Sequence, residues 1–126
     1  MRRSYYFWVA AILALLFGLL MLLLPASAAS AFQVPASTGT NTIFRVLGSV
    51  MLGVALVNFL VRDLAMSETL RAVLWGNAAI HGIGFVADCF SAGVGDVPWS
   101  GIGVGLIAHL IVLVGAVYYL WRPSAA

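Results

Sequence analysis

The chain has 126 residues, of which 63% are hydrophobic and 8% charged: six arginines, no lysine and four acidic side chains. Soluble domains carry about 25% charged residues, so these values exclude an ordinary soluble fold and intrinsic disorder alike and point to a protein dissolved in lipid. The net charge of +2 comes from arginines placed singly or in pairs, not from the clustered basic face that nucleic acid requires, so no nucleic-acid partner is expected.

The first apolar segment runs from Tyr5 to Leu24 and stops at Pro25, whose ring nitrogen has no hydrogen to continue a helix. Residues 26–41 are small and polar, with Pro35 and Gly39 among them, and read as an exposed loop. A second span covers 42–61, with Asn41 or Thr42 as its cap, and ends before Arg62 and Asp63. Ser67 and Glu68 then make a helix start, because an acid in the first turn suits the positive end of the helix dipole. The third span, 69–90, is ended by Gly93 and Gly95. Asp96 with Pro98 opens the fourth, 98–121, which halts at Pro123. Segments of about 20 residues fit helices, whereas membrane strands need only about 9–11 and alternate in polarity. The expected fold is all-α: an integral membrane four-helix bundle forming a single membrane domain over residues 1–126.

Arg2 and Arg3, a long apolar run and Ala29-Ser30-Ala31 also have the look of a secretory signal with an Ala-x-Ala cleavage site. The run exceeds the roughly 7–15 residues of a signal's apolar region, so the segment is read as a retained span.

With four spans, Arg2, Arg3, Arg62, Arg71 and Arg122 fall on the side of the N-terminus, and Arg45 alone falls toward the other. That bias predicts cytoplasmic N- and C-termini. Tyr5, Tyr6, Trp8, Trp75, Tyr118, Tyr119 and Trp121 would mark the inner interface and Trp99 the outer. Small size and a Lys-free composition rich in Ala, Gly, Val and Arg place the protein in a bacterial cytoplasmic (inner) membrane, as a multi-pass protein.

Chemistry must come from the polar residues inside the spans. Asn77, His81, Gly84 and Asp88 are spaced by four, three and four residues and share one helix face, a polar stripe that should face protein. Gly101, Gly105 and His109 repeat at four-residue spacing, a small-residue surface that admits another helix and ends at an imidazole. At 1.5 Å per residue His81 and His109 both lie about 15 Å inside their spans, near the bilayer midplane. Arg45 and Asp88 lie about a turn inside the outer boundary, where an ion pair between them is the economical arrangement. Asn58 and Asn77 match in depth and are suited to hydrogen-bond each other. Gly48 and Gly53 read as packing contacts. The intramembrane cluster of interest is therefore Arg45, Asn77, His81, Asp88 and His109.

Three readings of the histidine pair stand: interhelical hydrogen bonding, axial ligation of a b-type haem by His81 and His109, and proton handling or recognition of a lipophilic molecule such as a quinone. Two histidines with one cysteine, Cys89, are too few for a closed zinc site, and a lone cysteine excludes a thiol-oxidising enzyme with paired cysteines. The sequence thus suggests a non-catalytic membrane protein, an accessory subunit or a binder of a lipophilic small molecule; the alternative is a haem- or quinone-linked redox protein. Expected partners are the lipid bilayer and a second membrane protein or another copy of the chain.

Leu22-Leu23-Leu24-Pro25 after the first span, Arg45-x-x-Gly48 opening the second, Arg62 closing it and a short charged turn before the third resemble small four-span bacterial membrane proteins of the DoxX-like group. The resemblance covers most of the chain and implies a multi-pass bacterial membrane protein, with no reaction attached. Small multidrug transporters would imply an acidic residue in the first span, and Tyr5 to Leu24 has none.

Overall fold

The computed structural model describes residues 3–122. Among them the chain forms five α-helices and no strand: α1 (Arg3–Leu23), α2 (Pro25–Ala31), α3 (Thr38–Val61), α4 (Glu68–Val94) and α5 (Trp99–Trp121). All but α2 are long and apolar enough to cross a membrane, the build of a multi-pass membrane protein. Arg2 and Pro123, invoked above for orientation and for the end of the last span, lie outside the described residues.

The elements begin and end for identifiable reasons. Pro25 interrupts α1 as expected, but the chain does not enter a loop: Pro25 occupies the first turn of α2, where its missing N–H costs nothing. The backbone bends at Leu24 and turns helical again, with the Ala28 N–H bonded to the Leu24 carbonyl. The loop expected over 26–41 is thus mostly helix. α2 closes through bonds from Gln33 to Ser30 and from Val34 to Ala29, a Schellman arrangement that holds Gln33 at φ 55, the left-handed region that glycine favours.

The cap of α3 is Ser37, whose hydroxyl accepts from the Thr40 N–H at 3.0 Å, not Asn41 or Thr42. Ser37 is free to adopt the extended backbone that a cap needs after Pro35-Ala36, so the helix starts a turn early. Ser67 caps α4 in the same way, as expected. α4 runs through Gly93, and its end is set by Gly95 at φ 87. Asp96 belongs to that ending, giving its N–H to Ser91, and does not cap α5, which Pro98 introduces without a side-chain cap.

α1 packs along α3 and α4 along α5, and α1 touches α5 to join the two pairs. The α1–α3 contact is a backbone approach. A Cβ on Gly48 would stand 2.7 Å from the Leu22 nitrogen and 2.8 Å from the Gly18 carbonyl oxygen, so glycine at 48 lets the helices touch. Gly115 of α5 likewise supports the Tyr6 ring, where a Cβ would approach Cδ2 to 2.5 Å.

The apolar core occupies one end of the bundle: Tyr6, Phe7 and Ala10 of α1, Leu70, Leu74 and Ala78 of α4, and Val112, Ala116, Tyr119 and Leu120 of α5. Tyr6 and Tyr119 belong to this core and not to the interfacial belt expected of them, because their positions face the α1–α5 seam. Tyr5, Trp8, Trp75, Trp99, Tyr118 and Trp121 are exposed. A polar fringe closes the same end. Ser4 donates to Asp63 at 3.1 Å, Arg3 bonds the Leu64 carbonyl, Arg71 donates to the Leu120 carbonyl at 3.3 Å, and Arg62 pairs with Asp63 while lying over the Phe59 ring.

Candidate functional site: a polar seam inside the bundle

α3 and α4 are consecutive and joined by a short turn, yet they diverge and make few contacts. Where they meet, Asn58 Nδ2 donates to Asn77 Oδ1 at 3.3 Å and Asn77 Nδ2 donates to Asn58 Oδ1 at 2.7 Å. Asn58 spends its other amide hydrogen on the Val54 carbonyl at 2.9 Å. Both side chains are buried, and the reciprocal bond expected from their matching depth is present. The hydroxyl of Tyr6 on α1 faces Asn77 but stops short of a hydrogen bond, leaving a buried polar atom without a partner. The sequence reading placed Tyr6 in the interfacial belt and missed its place beside the amide pair. Only the α1–α5 seam brings it there.

Beside the amide pair the diverging helices leave a groove of about 360 Å³, lined by Val50, Gly53, Val54, Val57 and Asn58 of α3 and by Val73, Gly76, Asn77 and Ile80 of α4. A Cβ on Gly53 or on Gly76 would meet nothing within 4 Å. Gly53 is therefore not a packing contact. It widens one wall of the groove, as Gly76 widens the other.

A turn beyond Asn77 the stripe changes partner. His81 Nδ1 lies 2.9 Å from His109 Nδ1 across the α4–α5 interface, and His109 Nε2 lies 3.7 Å from Asp88 Oδ2. His109 and Asp88 each rest on a glycine of the facing helix. A Cβ on Gly84 of α4 would stand 2.6 Å from His109 Cε1, and one on Gly105 of α5 would stand 3.4 Å from Asp88 Oδ2. Gly101 takes the Phe32 carbonyl. Gly105 thus receives a carboxylate of the facing helix α4, in keeping with the helix approach expected there, whereas Gly101 receives the α2–α3 connection.

Of the five residues proposed from sequence, the structure unites His81, Asp88 and His109 across the α4–α5 interface and places Asn77 on the same face of α4, bonded to Asn58 of α3. It does not bring Arg45 there. Arg45 is exposed on α3, and among the described residues the salt-bridge partner of Asp88 is His109. The physical reason is the splay of α3 from α4: equal depth brings two residues together only if their helices pack, and these two do not at that level. Direct contact between the two imidazoles, with His109 pressed on Gly84, also leaves no slot between them for the ring of a haem. Axial ligation by both would require α4 and α5 to separate.

Among the described residues no cluster of three or more His, Cys, Asp or Glu is arranged to hold a metal ion. The chain matches no family model, no curated protein and no solved structure.

Proposed function

We propose that this is a multi-pass protein of a bacterial cytoplasmic membrane, with both chain ends on the cytoplasmic side, that binds a lipophilic small molecule in the α3–α4 groove. The observation that carries the reading is the groove itself: apolar walls, two glycines whose missing side chains widen it, and a pair of buried carboxamides at one end. Its size is within the range of small-molecule sites, about 300–1,000 Å³, which are mostly apolar with a few fixed polar groups. The amide pair uses three of its four N–H hydrogens internally. One N–H of Asn77 and a lone pair on each carbonyl are left for a ligand carrying a carbonyl or hydroxyl. The distribution of arginines supports the orientation, and the Lys-free composition supports the bacterial assignment.

Native mass spectrometry of protein purified in mild detergent tests the binding. The expected result is a retained molecule in the wild type that Gly53→Leu removes, since leucine fills the groove from a wall where a Cβ has open space. A bare protein mass, or a bound species that matches bulk phospholipid and persists in Gly53→Leu, would overturn the proposal.

A further inference from the structure

The histidine pair and Asp88 lie outside the groove and call for a separate account. We propose that Asp88, His109 and His81 form a proton relay running from the level of Asp88, about 9 Å inside the end of α4, to the middle of the membrane.

Ile83, Val86 and Phe90 make the exposed apolar face of α4, and Asp88 lies about 200° around the helix from Val86. Its side chain, 31% exposed, therefore faces the bundle interior, beside Gly105, and not lipid. His109 has the same relation to Ile107 and Ile111, which are exposed on α5. Along the membrane normal Asp88 lies about 9 Å from the end of α4 at Val94, and His81 about 20 Å from it, halfway along the helix. The three groups thus span the distance from near one boundary to the midplane.

A relay needs a group that accepts on one atom and donates from another, and an imidazole does this through its two nitrogens. His109 is placed to do so, with Nε2 toward Asp88 and Nδ1 toward His81. Because the two Nδ1 atoms face each other at 2.9 Å, one of them holds a hydrogen and the other a lone pair. The 3.7 Å link closes with a small rotation of the carboxylate, for which Gly105 leaves room.

The transfer balances without any redox partner. At the start the Asp88 carboxyl donates to the bare Nε2 of His109, and the His109 Nδ1–H donates to the bare Nδ1 of His81, which carries its own hydrogen on Nε2. The Asp88 proton passes to His109 Nε2 as the His109 Nδ1 proton passes to His81 Nδ1. Asp88 becomes a carboxylate, His109 stays neutral in its other tautomer, and His81 becomes an imidazolium. The reverse step returns the proton to Asp88. The other ionisable groups at this part of the bundle, Tyr6 of α1, Arg45 of α3 and Cys89 of α4, have no ion pair or hydrogen bond to the relay among the described residues.

The test uses full-length protein labelled with 15N-histidine in lipid nanodiscs. Wild type is expected to show scalar coupling across the Nδ1–Nδ1 hydrogen bond, and infrared spectroscopy after a pH jump should show protonation of His81. Asp88→Asn keeps the side-chain shape and cannot pass a proton; it should slow that protonation about a hundredfold, the scale of one positioned acid, while the coupling stays intact. Asp88→Glu should restore the rate. An unchanged rate in Asp88→Asn, or no coupling in the wild type, would overturn the relay. Should Asp88→Asn lose the coupling, Gly84→Ala decides: its Cβ would stand 2.6 Å from His109 Cε1 and displace the central imidazole while keeping the acid, and an unchanged rate there also overturns the proposal. None of these variants touches the α3–α4 groove, so the relay and the binding proposal fail independently.

Discussion

The amide pair makes a prediction whose sign separates a hydrogen-bonded clasp from mere packing. Asn58 and Asn77 are 1% and 3% exposed and share two bonds across α3 and α4. Replacing Asn77 with leucine, close to it in size, removes both bonds and leaves the Asn58 carbonyl oxygen buried and unpaired. Interhelical bonds in membranes average about 0.6 kcal/mol each, and an orphaned buried polar group adds about 1–3 kcal/mol, so Asn77→Leu should cost about 2–4 kcal/mol. Asn58→Leu should cost the same or slightly less, since Asn77 retains Tyr6 as a neighbour able to rotate toward it. The double variant removes the bonds without leaving an orphan and should cost only about 1 kcal/mol, so the second substitution offsets most of the first. Reversible unfolding in mixed micelles of dodecyl maltoside and sodium dodecyl sulfate measures all three. If the double variant loses the sum of the two single losses, the reciprocal bond is not what joins α3 to α4.

Other substitutions probe the fold. Gly48→Ala places a methyl against the α1 backbone at 2.7 Å and should destabilise by about 1–3 kcal/mol; Gly53→Ala, in the same helix but with open space, should be neutral or gain up to about 1 kcal/mol in helix propensity. Thermal melts in detergent compare the two. At Gln33, alanine keeps the left-handed backbone and loses the 3.0 Å bond to Ser100, whereas glycine loses the bond but relieves the backbone, so Gln33→Gly should be about 1 kcal/mol more stable than Gln33→Ala. Asp63→Asn should change stability by less than about 0.5 kcal/mol, because its pair with Arg62 is solvent-exposed. A reporter fused to the C-terminus should be active only if it functions in the cytoplasm; activity of a periplasm-dependent reporter there would reverse the proposed orientation.

Much of the site is legible in the sequence. The four-three-four spacing from Asn77 through His81 and Gly84 to Asp88 defines one face of α4, and matching depths anticipate the Asn58–Asn77 bond and the meeting of His81 with His109. These relations depend only on helical periodicity and rise, which any helix of known start obeys. The Arg45–Asp88 pair used the same depth argument and failed, since depth does not say which helices pack. The α2 helix was also hidden. Ala-Ser-rich segments read as loops because their composition is permissive, and Ala28 and Ala29 are wholly buried only because α1 and α3 stand ready to receive them.

The ten charges among 126 residues by themselves determined that the chain belongs in lipid as four apolar helices, because burying so much apolar surface leaves no soluble alternative. Tertiary structure alone decided that α1 pairs with α3 and α4 with α5, that α3 and α4 splay to leave a groove, and that Asp88 turns to His109 and not to Arg45. The reason is that helix choice in lipid rests on close approach, and close approach is set by where glycines meet: Gly18 with Gly48 on one side, Gly84 and Gly105 beneath the relay on the other.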